Sequence, residues 1–119
     1  MSNQSFGKEG EQAAEKFLRG LGYRILARNF RTRFGEIDIV AEDGDCLVFA
    51  EVKTRSSAGF GLPEEAVTAA KQRHLIKASQ IFLSQKKMPH ALWRIDVLAL
   101  TQKRNGGFDV RHLQNAVLS

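Results

Sequence analysis

The feature that most constrains the fold is a pair of β-type runs on either side of Asp43-Gly44-Asp45. Gly35–Glu42 and Cys46–Arg55 are rich in β-branched and other apolar residues, and a glycine flanked by aspartates favours a tight hairpin turn between them. Because successive side chains of a strand point to opposite faces of a sheet, the apolar pattern also predicts which residues share a face. The chain is therefore predicted to contain a hairpin with one apolar face.

The alternation also groups the charged residues of this hairpin. Asp38 in the first arm and Glu51 and Lys53 in the second arm are predicted to lie together on the face opposite the apolar set. That face also carries Val40 and Phe49, so it is not fully exposed to solvent. The apolar set predicted on the other face is Ile37, Ile39, Ala41, Val48, Ala50 and Val52.

Two turn registers are compatible with this grouping. A two-residue turn at Asp43-Gly44 places Asp38 opposite Phe49, whereas a turn at Gly44-Asp45 places it opposite Glu51. Both registers keep the acids and the lysine within ~5 to 8 Å of their neighbours. A slip of one residue would separate them, because it moves every side chain of an arm to the other face.

Two carboxylates gathered on a sheet repel each other and are costly to desolvate. Hard oxygen ligands of this kind suit Mg²⁺ or Mn²⁺, with the Val52 carbonyl as a further candidate ligand. Lys53 is suited to orient a water molecule or to offset charge that develops on a phosphate. The alternative is the exposed face of a hairpin with an ordinary Glu–Lys pair; the apolar neighbours favour a functional site.

The rest of the chain predicts helices and further strands. Helical apolar spacing and β-type composition give, in order, a helix at Phe6–Arg19, a strand at Tyr23–Arg31, the two hairpin strands, a helix at Thr68–Gln85, and strands at Leu92–Leu100 and Phe108–Leu113. Ser56–Leu62 is predicted to be a loop, and Pro63-Glu64-Glu65 a helical turn. This order predicts one α/β domain over residues 1–119, with a mixed sheet of about five strands flanked by helices.

The composition and net charge limit the classes of partner that we expect for this protein. The net charge of +5 and a pI near 9.7 make nucleic acid a candidate partner, although many soluble proteins are as basic. Cys46 is the only cysteine, the longest apolar run is Cys46–Ala50, and the N-terminus lacks an apolar signal region. We therefore expect a cytoplasmic protein with no membrane partner. Together with Cys46, His74, His90 and His112 lack the spacing of a zinc site.

The hairpin residues also resemble a known signature. Gly35-Glu36-Ile37-Asp38 followed by Glu51-Val52-Lys53 is similar to the D…(D/E)-x-K signature of restriction-endonuclease-like nucleases. A wider set of motifs resembles the bacterial YraN-like family of predicted nucleases, which is similar in fold to archaeal Holliday-junction resolvases. These motifs are Gly7-x-x-Gly10-Glu11-x-x-Ala14, Asn29-Phe30-Arg31, Gly35–Val40, Phe49–Arg55, Phe60-Gly61 and Lys71.

The resemblance implies roles for particular residues. It implies metal ligation by Asp38 and Glu51, a catalytic function for Lys53, and a contribution of Glu11 to the same site from the first helix. Glu11 lies on the flank of the apolar stripe of that helix, so a solvated helix acid is the alternative. Glu36 is either a further acid of the site or a residue that merely begins the strand, and we favour the second.

Together these features predict a metal-dependent nuclease that hydrolyses DNA, with branched or structured DNA as a candidate substrate. Arg31, Arg55 and Lys71 are expected to hold phosphates beside the acids, and a homodimer would let so small an enzyme cut two strands. The alternatives are a nucleic-acid-binding module that does not cleave and a scaffold for DNA-processing proteins. A pure binder would gain phosphate affinity by losing the carboxylates, and a scaffold needs an exposed apolar patch.

Overall fold

The computed structural model of the chain describes residues 3–56 and 67–116. Its elements are α1 (Asn3–Gly20), β1 (Arg24–Thr32), β2 (Gly35–Asp43), β3 (Cys46–Arg55), α2 (Ala69–Gln85), β4 (Leu92–Gln102) and β5 (Phe108–Leu113). The α-β-β-β-α-β-β order predicted from the sequence is thereby confirmed. Apart from Ser56, the predicted loop at Ser56–Leu62 and the turn at residues 63–65 lie outside the described residues. Within the described ranges, neither helix is long and apolar enough to cross a membrane.

The five strands form one mixed sheet in the order β1-β2-β3-β4-β5. Every neighbouring pair is antiparallel except β3 and β4, which are parallel and are linked through α2. The hairpin turn is Gly44-Asp45, because Asp43 pairs with Cys46. Gly44 has a φ of +61°, a conformation that glycine adopts without strain. The register is therefore the second of the two that the sequence allowed.

The helices cover opposite faces of the sheet. Phe49 of β3 packs under α2, where Phe82 meets Phe49 and Phe30 in edge-to-face contacts with ring centroids 5.5 and 5.1 Å apart. Its neighbours in the strand, Val48 and Ala50, pack under α1 instead. The central strand is thus buried on both faces, which explains why its sequence is an almost unbroken apolar run.

One predicted face assignment was wrong, and the error bears on the site. Ile37 was expected to share a face with Ile39, but it packs under α2 beside Val40, whereas Ile39 packs under α1. Residues two apart on a regular strand point the same way, so the alternation of β2 is broken between these two isoleucines. The residue between them is Asp38.

The neighbouring strand shows a matching irregularity. Asn29 of β1 lies between the Arg28–Ile39 and Phe30–Ile37 pairs, and therefore opposite Asp38. Its φ is +50°, in the left-handed region that Asn tolerates better than most residues do. Because of this local irregularity, the side chain of Asp38 lines a cleft beside α1 and does not lie on the sheet face that α2 covers.

Candidate active site

The candidate site lies where β2 and β3 part. Their pairing runs from Asp43–Cys46 to Ile39–Ala50 and ends there. The backbone N–H of Val52 donates instead to Oδ2 of Asp38 at 2.7 Å. Because hydrogen-bonded pairs alternate along an antiparallel ladder, that N–H would otherwise pair with the main chain opposite it on β2. A carboxylate has therefore replaced a ladder bond at the opening of the sheet.

Asp38 is in an environment that opposes its charge. Burial raises the pKa of its carboxyl from 3.8 to about 7, and the negative charge of Glu51 adds to the shift. Glu11 and Glu36 raise this pKa by smaller amounts, and the hydrogen bond from Val52 lowers it. Glu11 and Glu36 line the same cleft as Asp38, and Glu51 lies within electrostatic range of Asp38.

Glu51 is buried, with only 3% of the residue exposed. Its Oε1 atom lies 3.4 Å from Nζ of Lys53 and 3.4 Å from Nζ of Lys71. Its Oε2 atom is buried without a hydrogen-bond partner among the described residues. Both cations therefore stabilise the same oxygen of the carboxylate, while the other oxygen is left unsatisfied, which is costly for a buried polar atom.

Lys71 reaches Glu51 because of the way α2 begins. Thr68 is the N-cap residue, and its side chain accepts a hydrogen bond from the backbone N–H of Lys71 at 3.1 Å. This cap places Lys71 in the first helical turn and at the end of the sheet where β2 and β3 separate. The sequence predicted Lys71 as a phosphate-binding residue; the structure places it on the acid.

Glu11 and Glu36 meet across the cleft on the side of α1. Nδ2 of Asn29 donates to Oε1 of Glu36 at 2.7 Å and lies 3.3 and 3.4 Å from the two carboxylate oxygens of Glu11. The cleft has a volume of about 670 Å³ and is lined by these three residues and by Asp38. Glu36, which we favoured as a residue that merely begins β2, therefore also lines this cleft.

Glu11 comes close to the sheet because Gly10 lets α1 approach β3. A Cβ atom at Gly10 would lie 2.1 Å from Oγ1 of Thr54, a distance that no real contact allows. Only a glycine permits this packing, and the close approach brings the neighbouring Glu11 near the sheet. Glu11 is half-buried and lies within hydrogen-bond distance of Asn29, which favours a place at the cleft; its contribution to the site stays a prediction.

The remaining predicted cations differ in their surroundings. Arg31 is exposed at the cleft, with Nε 3.8 Å from Oε2 of Glu36. Arg55 is the last residue of β3 and is partly buried. Arg31 and Lys71, two of the three cations expected to hold phosphates, therefore contact acids of the site.

The expected grouping of Asp38, Glu51 and Lys53 arises differently from the prediction. We expected all three on the face of Val40; instead Asp38 lines the cleft beside α1, and Glu51 meets a lysine from α2. They come together because the ladder opens, and Asp38 bonds the residue between the other two. Asn29 was missed as a site residue, although an asparagine within a strand, where this residue type is depleted, is a usable signal.

The donors present fit a hard divalent cation. No group of three His, Cys, Asp or Glu side chains in the described part of the chain has the arrangement of a metal site. A cation here would rely on Asp38, Glu51 and the Val52 carbonyl, completed by water and substrate oxygens, which is the usual arrangement for Mg²⁺ or Mn²⁺. Such an ion would give the Oε2 atom of Glu51 a partner and would reduce the repulsion between the two acids.

The mixed five-stranded sheet with its two flanking helices defines a restriction-endonuclease-like α/β fold. Residues 10–100 match the uncharacterised protein family UPF0102, and the chain belongs to this family. UPF0102 is the YraN-like family, so the resemblance of the motifs is confirmed.

Relatives match over most of the chain. A UPF0102 protein of Geotalea daltonii is 48% identical over 96% of this chain and 90% of that protein. One from Caldicellulosiruptor saccharolyticus is 42% identical over 98% of this chain and 99% of that protein. Among solved structures, the chain is similar to Pyrococcus furiosus SfsA in complex with Ca²⁺, with a TM-score of 0.39 and 17% identity. That match covers 95% of this chain and 64% of the other, and at this distance it carries no functional information.

Proposed function

We propose that this chain is a divalent-metal-dependent endonuclease that hydrolyses DNA phosphodiester bonds, with branched or structured DNA as its substrate. The observation that carries the proposal is the buried Oε2 atom of Glu51, which lacks a partner among the described residues and lies close to the raised-pKa carboxyl of Asp38. A buried carboxylate oxygen without a partner and a buried acid beside another acid both lower the stability of a fold, and such groups concentrate at functional sites. We further propose that the enzyme acts in the cytoplasm as a homodimer.

The residues of the site divide the work between them. Asp38, Glu51 and the Val52 carbonyl would hold the cation, and a bound cation of this kind activates water and polarises a phosphoryl oxygen. Lys53 would stabilise the negative charge that develops on the phosphate. Glu11, on the cleft side, is the acid to orient a water molecule toward the same phosphate.

The paired lysines support this division. Because Lys53 and Lys71 contact the same oxygen of Glu51, either lysine can leave while the other still balances the carboxylate. Lys53 can therefore turn toward a phosphate without leaving Glu51 as an unpaired buried charge. A single Glu–Lys pair would lack this freedom, since breaking it costs several kcal/mol in a buried setting.

A second candidate is a nucleic-acid-binding module of the same fold that does not cleave. The observation that favours it is that the described residues hold no three-ligand metal group. In that case Lys53 and Lys71 would serve to neutralise Glu51 and to contact phosphates. The two functions differ in what a divalent ion does: it is required for the enzyme and dispensable for the module.

The test is a cleavage assay with the purified chain on junction, flap, nicked and linear DNA in Mg²⁺, Mn²⁺ or EDTA. We expect cleavage only with a divalent ion, and we expect D38N, E51Q and K53A to abolish it. D38N and E51Q should still bind DNA, because each removes a negative charge near the phosphate. Asp109 is an exposed residue of β5, so D109N serves as the matched control and should cleave normally.

Two outcomes contradict the proposal. Equal cleavage by the wild type and all variants would mean that a contaminant is responsible. A wild type that binds every DNA of the panel with the same affinity in Mg²⁺ and EDTA, yet cleaves none of them, would favour the binding module.

A further inference from the structure

The tip of the β1–β2 hairpin gathers positive charge on an aromatic ring. Arg33 and Phe34 form the turn between the Thr32–Gly35 pair. The guanidinium carbon of Arg33 lies 4.9 Å from the centroid of the Phe34 ring, and Nζ of Lys77, from α2, lies 4.8 Å from the same centroid. Both distances are within the range of cation–π attraction, so one ring holds two cations.

These cations are not neutralised by acids. Among the residues that the structure describes, neither Arg33 nor Lys77 forms an ion pair with a carboxylate, whereas Arg31 contacts Glu36 and Lys71 contacts Glu51. Both side chains belong to exposed residues. Exposed Arg73 lies one helical turn before Lys77 and adds a third charge of the same sign. Such a patch attracts an anion, because bringing like charges together raises the local positive potential.

The tip is held in place by the chain itself. The hydroxyl of Thr32 donates to the carbonyl oxygen of Gly35 at 2.9 Å and accepts from the backbone N–H of Phe34 at 3.0 Å. Gly35 also lies against α2, since a Cβ atom added there would be 3.7 Å from Cβ of His74. The cations are therefore presented on a pre-organised turn, which lowers the entropy lost on binding.

The distance from the tip to the acids suits one continuous ligand. Phe34 precedes Asp38 by a stretch of strand that spans about 13 Å at the usual rise per residue. Lys77 follows Lys71 on α2 by about 9 Å along the helix axis. These two elements thus separate the tip from the acidic site by about 9 to 13 Å, or roughly three to four base-pair steps of duplex DNA.

We propose that Arg33, Phe34 and Lys77 form a phosphate clamp that binds the DNA backbone a few nucleotides from the acidic site. The proposal rests on the proposed function only in taking DNA as the partner; it requires no cleavage. The two cations contact phosphate oxygens, and the Phe34 ring keeps them together when no phosphate is present. The clamp thereby sets which part of the DNA backbone lies over the acids.

The test measures binding of fluorescently labelled duplex DNA by anisotropy in EDTA over a range of salt concentrations. The clamp variant R33A/K77A is compared with K103A/R104A, which removes the same charge from exposed residues between β4 and β5. If two phosphate contacts are lost, the slope of log affinity against log salt should become shallower by about 1.8 in the clamp variant. The control should keep the wild-type slope.

A charge-conserving variant separates the ring from the cations. F34L keeps an apolar side chain and the net charge, so its salt slope should stay close to that of the wild type. Its affinity should fall about two- to fivefold, because the cations lose the ring that positions them. Thermal unfolding of each variant checks that the fold is intact.

The outcomes separate this inference from the proposed function. Equal effects of R33A/K77A and K103A/R104A, or an equal loss of affinity for polyglutamate and for DNA in the clamp variant, would overturn the clamp as a phosphate site. If such a result came with normal metal-dependent cleavage, the proposed function would stand. A wild type that binds no DNA would overturn both.

Discussion

Replacing Asp38 with asparagine is expected to stabilise the protein at pH 8 and to leave its stability almost unchanged near pH 4. The reason is the environment that raises the pKa of this carboxyl to about 7. In the folded protein the neutral form is favoured, whereas in the unfolded chain the carboxyl ionises at its ordinary value of 3.8. Above that value the unfolded state releases its proton first, so the stability of the wild type falls as pH rises. The loss is complete once pH exceeds the folded pKa.

The size of the effect follows from the same pKa difference. A pKa raised from 3.8 to about 7 corresponds to at most about 4 kcal/mol of stability lost at pH 8. Asp38 is only partly buried, so solvent relaxation around the charge lowers this to about 1–2 kcal/mol. The asparagine amide keeps an oxygen that can accept the Val52 bond, so the substitution removes the charge without removing the acceptor.

The assay is urea unfolding of the wild type, D38N and D109N at several pH values between 4 and 8.5 without divalent ions. The stability difference between D38N and the wild type should be near zero at the lowest pH and should grow through the range up to about pH 7. D109N should follow the wild type. Parallel curves for D38N and the wild type, or a less stable D38N at pH 8, would refute the electrostatic account of the site.

Three further predictions follow from the same geometry. Mg²⁺ at about 100 times its Kd should raise the free energy of unfolding of the wild type at pH 8 by about 2.7 kcal/mol. The increase for E51Q, measured in the same denaturant titrations, should be far smaller. G10A should lower the free energy of unfolding by about 1–3 kcal/mol because its Cβ would meet Thr54. G20A, whose Cβ would meet nothing within 4 Å, should not destabilise the protein. Equal unfolding midpoints for the two variants would disprove the close approach of α1. N29G, which keeps the φ preference but loses the amide, should weaken Mg²⁺ binding measured calorimetrically, and an unchanged affinity would remove Asn29 from the site.

The sequence predicted the order of elements because each element has a local signal. The hairpin around Gly44 and the helix that begins after Thr68 both carry turn or cap residues at the required positions. The two hairpin acids could be paired with Lys53 for the same reason, since strand periodicity is a local property. These features depend on residues that are close together in the chain.

The face of Asp38 could not be predicted in this way. Alternation assumes a regular backbone, and it fails where Asn29 adopts a positive φ on the neighbouring strand. That irregularity depends on the pairing of two strands and has only a weak signal in the residue type. The prediction therefore assigned Ile37 to the wrong core cluster and did not place Glu36 at the cleft.

The second lysine was also beyond local reasoning. Lys71 was assigned to phosphates because it is basic and lies in a matching motif. Its contact with Glu51 depends on where the crossover helix begins relative to the sheet, which is a tertiary property. The meeting of Arg33 and Lys77 on the Phe34 ring could not be predicted for the same reason, because Lys77 reaches Phe34 only once α2 is packed on the sheet.

The opening between β2 and β3 has a mechanical consequence. On its other side β3 pairs with β4 without interruption, from Cys46–Leu92 to Arg55–Thr101. The wall of the site that carries Glu51 is therefore anchored along its full length, whereas the wall that carries Asp38 lacks main-chain bonds to β3 beyond Ile39. Any change in the width of the opening therefore falls to the β1–β2 hairpin, which can tilt relative to β3. Of the clamp residues, Arg33 and Phe34 lie at the tip of this hairpin, whereas Lys77 lies on α2.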